Sequence, residues 1–189
     1  MASLKLHGYN TGSGYDSLCK EWVKYVRRHY LHNESEVLYS TINPSTGKPI
    51  EEPRGSMLGW SIMFIYQFDP VFSVELYNNY KKHFSNELLV FRLFKERYEN
   101  CNTNMGDIDS GPILLGYSIP ANEFALSGAV LSGDYKTARK LERLINFGAI
   151  QKEANGKLKY DVRFVDMNIS PMAEALILNS LTITKWVKD

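Results

Sequence analysis

The sequence predicts an all-α fold built from paired helices, and three observations support this fold class. Apolar residues recur at every fourth position from Leu18 to Tyr30, which is the pattern of an amphipathic helix. Residues 56–68 are apolar nearly all round, as expected of a helix that is buried on every side. Asp69-Pro70 then ends this helix and begins the next, because aspartate caps a helix start and proline fits its first turn.

The remaining elements follow from the same signals in chain order. Six helices are predicted, over residues 16–31, 56–68, 70–84, 120–131, 134–148 and 171–186. Short β-hairpins are predicted around the turns Asn43–Gly47 and Asn155-Gly156, the second being a strong type I′ turn signal. Residues 87–94 are predicted to be a single β-like run, with a helical turn as the alternative. Residues 1–14 are poorly periodic and predicted to be a flexible tail.

Length and composition indicate one ordinary globular domain. The chain has 189 residues, of which 44% are hydrophobic and 23% charged, and a second domain is not predicted. A net charge of +1 gives no electrostatic case for nucleic acid or an anionic membrane as a partner. The sequence has no apolar stretch of membrane-spanning length, so no membrane span is predicted. No signal peptide is recognised at the start, and both an exported and a cytoplasmic location remain open.

A pair of carboxylates stands out in the stretch Gly106–Pro112, which reads GDIDSGP. If this segment is extended, Asp107 and Asp109 point to the same side, roughly 6.6 Å apart along the backbone. They could then both face one cavity. The alternative is that one residue caps a helix start and the other aspartate lies on the surface without a function, since aspartate and serine are common capping residues.

Several motifs occur in an order that resembles one known group of proteins. They are Arg54-Gly55-Ser56, Asp69-Pro70, Lys95-Glu96-Arg97-Tyr98, GDIDSGPILLGYS and LSGDYKTARKL. The chain, from about Trp22 to Trp186, resembles the six-hairpin glycosidase-like (α/α) toroid family, which includes bacterial proteins related to the linalool dehydratase/isomerase domain. The resemblance implies an (α/α) toroid, or a partial one, with a pocket for a carbohydrate or a small alcohol at one end. Because the chain has room for about half of such a ring, three alternatives are expected: part of a larger toroid, a small relative of the family, or a protomer of a homo-oligomer.

Three functions are compatible with this resemblance. The first is a glycosidase-like protein, since glycoside hydrolysis needs a protonated acid and a second carboxylate. The second is a dehydratase/isomerase-like lyase that acts on a small alcohol, and the third is a sugar-binding or scaffold protein without catalysis. Whether the chain is an enzyme therefore stays open. The predicted catalytic residues are Asp107, Asp109 and Glu96, and the predicted substrate-binding residues are Arg54, Trp60, Arg97, Tyr98, Ser110 and Tyr117.

Simpler interpretations exist for several of these residues. For each aromatic side chain, packing in the core is preferred over stacking on a sugar. Arg54 and Glu96 could form a buried ion pair that braces two hairpins. Asp107 does not begin a calcium-binding loop, because Gly111 and Pro112 occupy the fifth and sixth positions. With four histidines and no clustered cysteines, neither a metal nor a cofactor is predicted. The expected ligand is a carbohydrate or another small molecule.

Overall fold

Capping side chains set where the central helices begin in the structure, a computed structural model that describes residues 1–98, 115–163 and 170–187. Asp69 accepts the backbone N–H of Phe72 at 2.9 Å, as its position before proline predicted. Ser118, Asp134 and Ser170 cap three later helices in the same way. The described residues contain seven helices: α1 (Ala2–Thr11), α2 (Asp16–His29), α3 (Gly55–Tyr66), α4 (Pro70–Phe84), α5 (Ile119–Leu131), α6 (Tyr135–Gly148) and α7 (Pro171–Thr182).

Three antiparallel hairpins lie between the helices. They are β1–β2 (Thr41–Ile42 with Pro49–Glu51), β3–β4 (Ser85–Leu88 with Phe91–Phe94) and β5–β6 (Ala149–Ala154 with Lys157–Val162). The first and third surround the turns that the sequence predicted. No described helix has both the length and the apolar character needed to cross a membrane.

The all-α toroid prediction is wrong, because the structure is mixed, with 55% helix, 18% strand and three small antiparallel sheets. The main error falls on residues 85–94, which are two paired strands rather than one β-like run. Their turn is Leu89-Val90, which contains none of the usual turn residues. Leu89 adopts a φ of 55°, a conformation that leucine seldom takes, so the turn was not visible in the sequence.

Residues 1–14, predicted to be a tail, contain helix α1. This helix buries only Ala2 and Gly8, so it has no apolar stripe from which it could be predicted. The Lys5 ammonium lies 2.6 Å from the Asp16 carboxylate and connects α1 to the start of α2.

The core forms where α3 packs against α4 and α5. Its largest fully buried side chains are Tyr77, Tyr80, Phe72, Phe84, Phe94, Leu58, Ile62, Leu76, Leu126 and Leu141. Helices α3 and α5 run in the same direction, since Gly55 lies beside Ala121 and Ile62 lies beside Gly128. Their backbones come close at Gly59, where an added Cβ would lie 2.5 Å from the Cβ of Phe124.

We expect Gly59→Ala to lower the free energy of unfolding by about 1–3 kcal/mol, because the new methyl group overpacks the α3–α5 contact. This loss would occur even though alanine is the better helix former. Urea denaturation measures the change. Gly148→Ala is the matched control, since a Cβ at this helical glycine meets nothing within 4 Å. If both variants are equally stable, the close contact at Gly59 does not constrain the fold.

Candidate functional site

Glu96 is placed by backbone pairing between the starts of α3 and α5. Its carbonyl accepts the N–H of Gly55, and its N–H donates to the carbonyl of Gly116, both at 2.9 Å. The neighbouring residues Lys95 and Arg97 form isolated bridges with Tyr117 and Arg54. The segment after β4 is therefore held on both sides, and the side chain of Glu96 projects into the space between two helix N-termini.

The Glu96 carboxylate is fully buried, with 0% exposure, and accepts hydrogen bonds from four groups of the described residues. Oε1 accepts from Arg54 Nε at 3.0 Å and from Ser56 Oγ at 2.7 Å. Oε2 accepts from the Ser56 backbone N–H at 3.2 Å and from Ser118 Oγ at 2.7 Å. The Ser118 hydroxyl also accepts the N–H of Ala121, so its single proton is directed to Glu96.

This cluster of Glu96, Arg54, Ser56 and Ser118, here called the Glu96 centre, matches the ion-pair interpretation of Arg54 and Glu96. Helix N-termini carry positive partial charge, so the starts of α3 and α5 add to the stabilisation from the guanidinium group. The donors named above already use both oxygens of the Glu96 carboxylate, as expected of a structural ion pair. The catalytic role of Glu96 stays a prediction, and the geometry favours a bracing role.

The other predicted site residues fall into separate places. Arg97 is half-buried beside the Glu96 centre, and the Tyr117 hydroxyl accepts a hydrogen bond from Asn86 Nδ2 at 2.7 Å. Tyr98 packs edge-on against His32, with ring centroids 5.0 Å apart. Trp60 belongs to a different aromatic group on α3. The remaining three, Asp107, Asp109 and Ser110, lie outside the described residues.

His32 forms a local polar network that superficially resembles a catalytic arrangement. Nδ1 accepts the backbone N–H of Ser35 at 3.3 Å, so in the neutral ring the proton sits on Nε2, which lies 3.4 Å from a Glu52 carboxylate oxygen. The Ser35 hydroxyl is 2.8 Å from Nδ1, but Ser35 is fully buried and cannot meet a substrate. In the described part of the chain, no three His, Cys, Asp or Glu side chains are arranged to hold a metal ion.

An exposed row of aromatic rings runs along α3 to the chain segment after α7. Trp60 packs edge-on against Phe124 of α5, with ring centroids 4.8 Å apart, and its ring is tilted against that of Phe64 at 5.6 Å. Phe64 in turn contacts Trp186 at 5.7 Å. Both tryptophans remain 43% exposed, so each is held by its neighbours and still reaches solvent. We call Trp60, Phe64 and Trp186 the aromatic row.

Glu123 lies in α5 directly before Phe124, which supports Trp60. It is only 5% exposed, and its carboxyl group has no hydrogen-bond or ion-pair partner among the described residues. Burial raises the pKa of Glu123 to about 7, because a desolvated carboxylate is unfavourable. Sequence reasoning missed this residue. The available signal was that Glu123 is the only charged residue in an otherwise small and apolar helix.

No protein-family model and no curated protein matches this chain. The family resemblance therefore stays a prediction, and the function has to be inferred from the side chains that the structure brings together.

We expect Glu96→Gln to lower the free energy of unfolding by about 3–5 kcal/mol, because it removes the buried negative charge that pairs with the Arg54 guanidinium. Urea denaturation at neutral pH measures this change. Glu142→Gln, an exposed position on α6, is the control and should change stability by less than about 0.5 kcal/mol. Equal stabilities of the two variants would contradict the bracing role of the Glu96 centre.

The pH dependence of stability tests the burial of Glu123. Its pKa is raised from 4.5 to about 7 in the folded chain, so between these values the native state binds more protons than the unfolded state. Stability should then fall as pH rises from about 5 to 8, by about 3 kcal/mol in total, and level off above pH 8. The difference in unfolding free energy between the wild type and Glu123→Gln, measured across this range, isolates the effect. A difference that is constant with pH would show that Glu123 titrates normally.

Proposed function

We propose that this chain is a glycosidase-like protein that binds carbohydrate on the aromatic row. The observation that carries the proposal is the pair of half-exposed tryptophans, Trp60 and Trp186, joined through Phe64. Aromatic rings that are fixed by their neighbours and open to solvent offer large flat apolar surfaces at little entropic cost. The C–H faces of pyranose rings are complementary to such surfaces.

Glu123 is the candidate general acid of this site. Glycoside hydrolysis requires a carboxyl group that is still protonated near neutral pH, and burial gives Glu123 a pKa of about 7. Its position next to Phe124, whose ring contacts Trp60, places it in the helix turn that supports the aromatic row. Phe124 packs against the α3 backbone at Gly59, which fixes this turn of α5 relative to Trp60.

Asp107 and Asp109 are the candidates for the second carboxylate. They lie in the part of the sequence between Tyr98 and Leu115, and the Glu96 centre joins its two described flanks. The Glu96 N–H donates to the carbonyl of Gly116, and the Ser118 hydroxyl donates to the Glu96 carboxylate. Ser118 caps α5, the helix that carries Glu123. This link along the chain is what supports choosing one of the two aspartates as the second carboxyl group.

A glycan panel tests the binding part of the proposal. Trp60→Ala should weaken binding of the best glycan by about tenfold or more, since a stacked aromatic ring contributes roughly 1–3 kcal/mol. Tyr135→Ala removes an even more exposed ring on α6 and should leave the affinity for the glycan unchanged. Isothermal titration calorimetry with purified protein gives both values. If both variants bind like the wild type, the aromatic row is not the binding surface.

Product analysis of the same glycans tests catalysis. We expect Glu123→Gln, Asp107→Asn and Asp109→Asn to release at least about a hundredfold less reducing sugar, while Trp60-dependent binding persists. Binding without any product from the wild type would favour the sugar-binding role instead. Turnover of a small terpene alcohol, without glycan binding, would favour the dehydratase alternative and contradict the proposal.

A further inference from the structure

The turn of the β3–β4 hairpin presents three consecutive aliphatic side chains to solvent. Leu88, Leu89 and Val90, here called the hairpin tip, are 59, 88 and 52% exposed. Exposures this high indicate a protruding, convex tip rather than a groove. Leu89 also has a φ of 55°, which asparagine or glycine would adopt more readily than leucine. Local backbone chemistry therefore does not explain why this position is apolar.

A row of cations lies beside the hairpin tip. Lys136, Arg139, Lys140 and Arg143, here called the basic stripe, follow one another at three- and four-residue steps along α6, so they share one side of the helix. The same spacing continues to Phe147, whose ring contacts Phe91 of β4 at 5.3 Å. Because Phe91 pairs with Leu88, the basic stripe leads along α6 to the turn end of the hairpin.

The two features are joined by direct contacts. Lys140 Nζ lies 2.9 Å from a carboxylate oxygen of Glu87, the residue before the tip, and Arg92 bonds the other oxygen. Glu87 and Glu142 are the acidic residues of these two elements, against five cations. Arg163 adds a sixth cation, since it donates to the carbonyls of Asn146 and Phe147 at the end of α6. The local charge is strongly positive although the chain as a whole carries +1.

We propose that the hairpin tip and the basic stripe form a docking surface for an anionic lipid bilayer. A convex aliphatic tip suits insertion among acyl chains, while the flanking lysine and arginine side chains attract acidic headgroups. The positive charge of the basic stripe is complementary to the negative charge of acidic headgroups, and this favours an anionic bilayer as the binding partner. The proposal is independent of the carbohydrate site, because it uses residues of a different hairpin and helix.

Vesicle co-sedimentation of the full chain tests this inference. Binding to vesicles of phosphatidylcholine with phosphatidylserine should exceed binding to pure phosphatidylcholine by at least about tenfold, and should weaken as salt rises. Leu89→Asn should reduce the partition coefficient by about tenfold, because it removes the most exposed apolar side chain of the tip. It should not unfold the chain, since asparagine tolerates positive φ. The double variant Arg139→Gln with Arg143→Gln should give a reduction of about tenfold or more.

Two matched controls keep the test specific. Leu115→Asn changes another highly exposed leucine with positive φ. It lies two residues before Tyr117, which bridges to Lys95 just beyond the end of the hairpin opposite the tip. Lys20→Gln with Lys24→Gln removes two exposed cations from α2 instead. Both controls should bind within about twofold of the wild type.

Several results would overturn the inference. The inference fails if the wild type does not bind acidic vesicles, if the control variants lose as much binding as the test variants, or if Leu89→Asn leaves binding unchanged. A concentration-dependent dimer that Leu89→Asn abolishes, with no vesicle binding, would instead assign the tip to self-association. Circular dichroism of each variant confirms that a loss of binding is not a loss of fold.

Discussion

The buried carboxylate of Glu96 is the interaction on which the rest of the structure depends. A charge with no solvent contact is costly unless it is paired and fully hydrogen-bonded, and Glu96 meets both conditions through Arg54, Ser56 and Ser118. Each of these partners sits at the start of α3 or α5. The carboxylate therefore sets the position of two helix N-termini with respect to the strand segment that carries it.

The fixed helix starts explain the packing that follows along α3 and α5. The two helices begin side by side and run in the same direction. Small residues therefore come opposite larger ones, with Gly59 of α3 against Phe124 and Gly128 of α5 against Ile62. This close approach buries α5 almost completely, including Glu123. It also holds Phe124 against Trp60, so the geometry of the aromatic row follows from the same alignment.

Charge is distributed unevenly over the molecule, which the overall composition does not show. Several acidic residues are paired with lysines: Lys81 pairs with Asp134, and Lys152 and Lys159 pair with Asp161. Burial by itself would raise the pKa of Asp134. The bonds that its carboxylate accepts from Lys81, Thr137 and Tyr77 outweigh this effect and lower the pKa to about 2. Cations of α6 have fewer such partners, so a nearly neutral chain carries a basic region beside its most exposed apolar turn.

The sequence by itself determined the elements whose signals are local. The caps Asp69, Asp134 and Ser170, the apolar helix at 56–68 and the turn at Asn155-Gly156 were all predictable, because capping, periodicity and turn chemistry act over a few residues. Arg54 and Glu96 were named as possible ion-pair partners, but their 42-residue separation meant that only the tertiary structure could place them in contact. The hairpin turn at Leu89 was missed because its leucine adopts a backbone conformation against its own preference. Only the tertiary structure raises the pKa of Glu123, because surrounding helices shield its carboxyl group from water. No local sequence pattern shows how strongly distant helices will bury a residue.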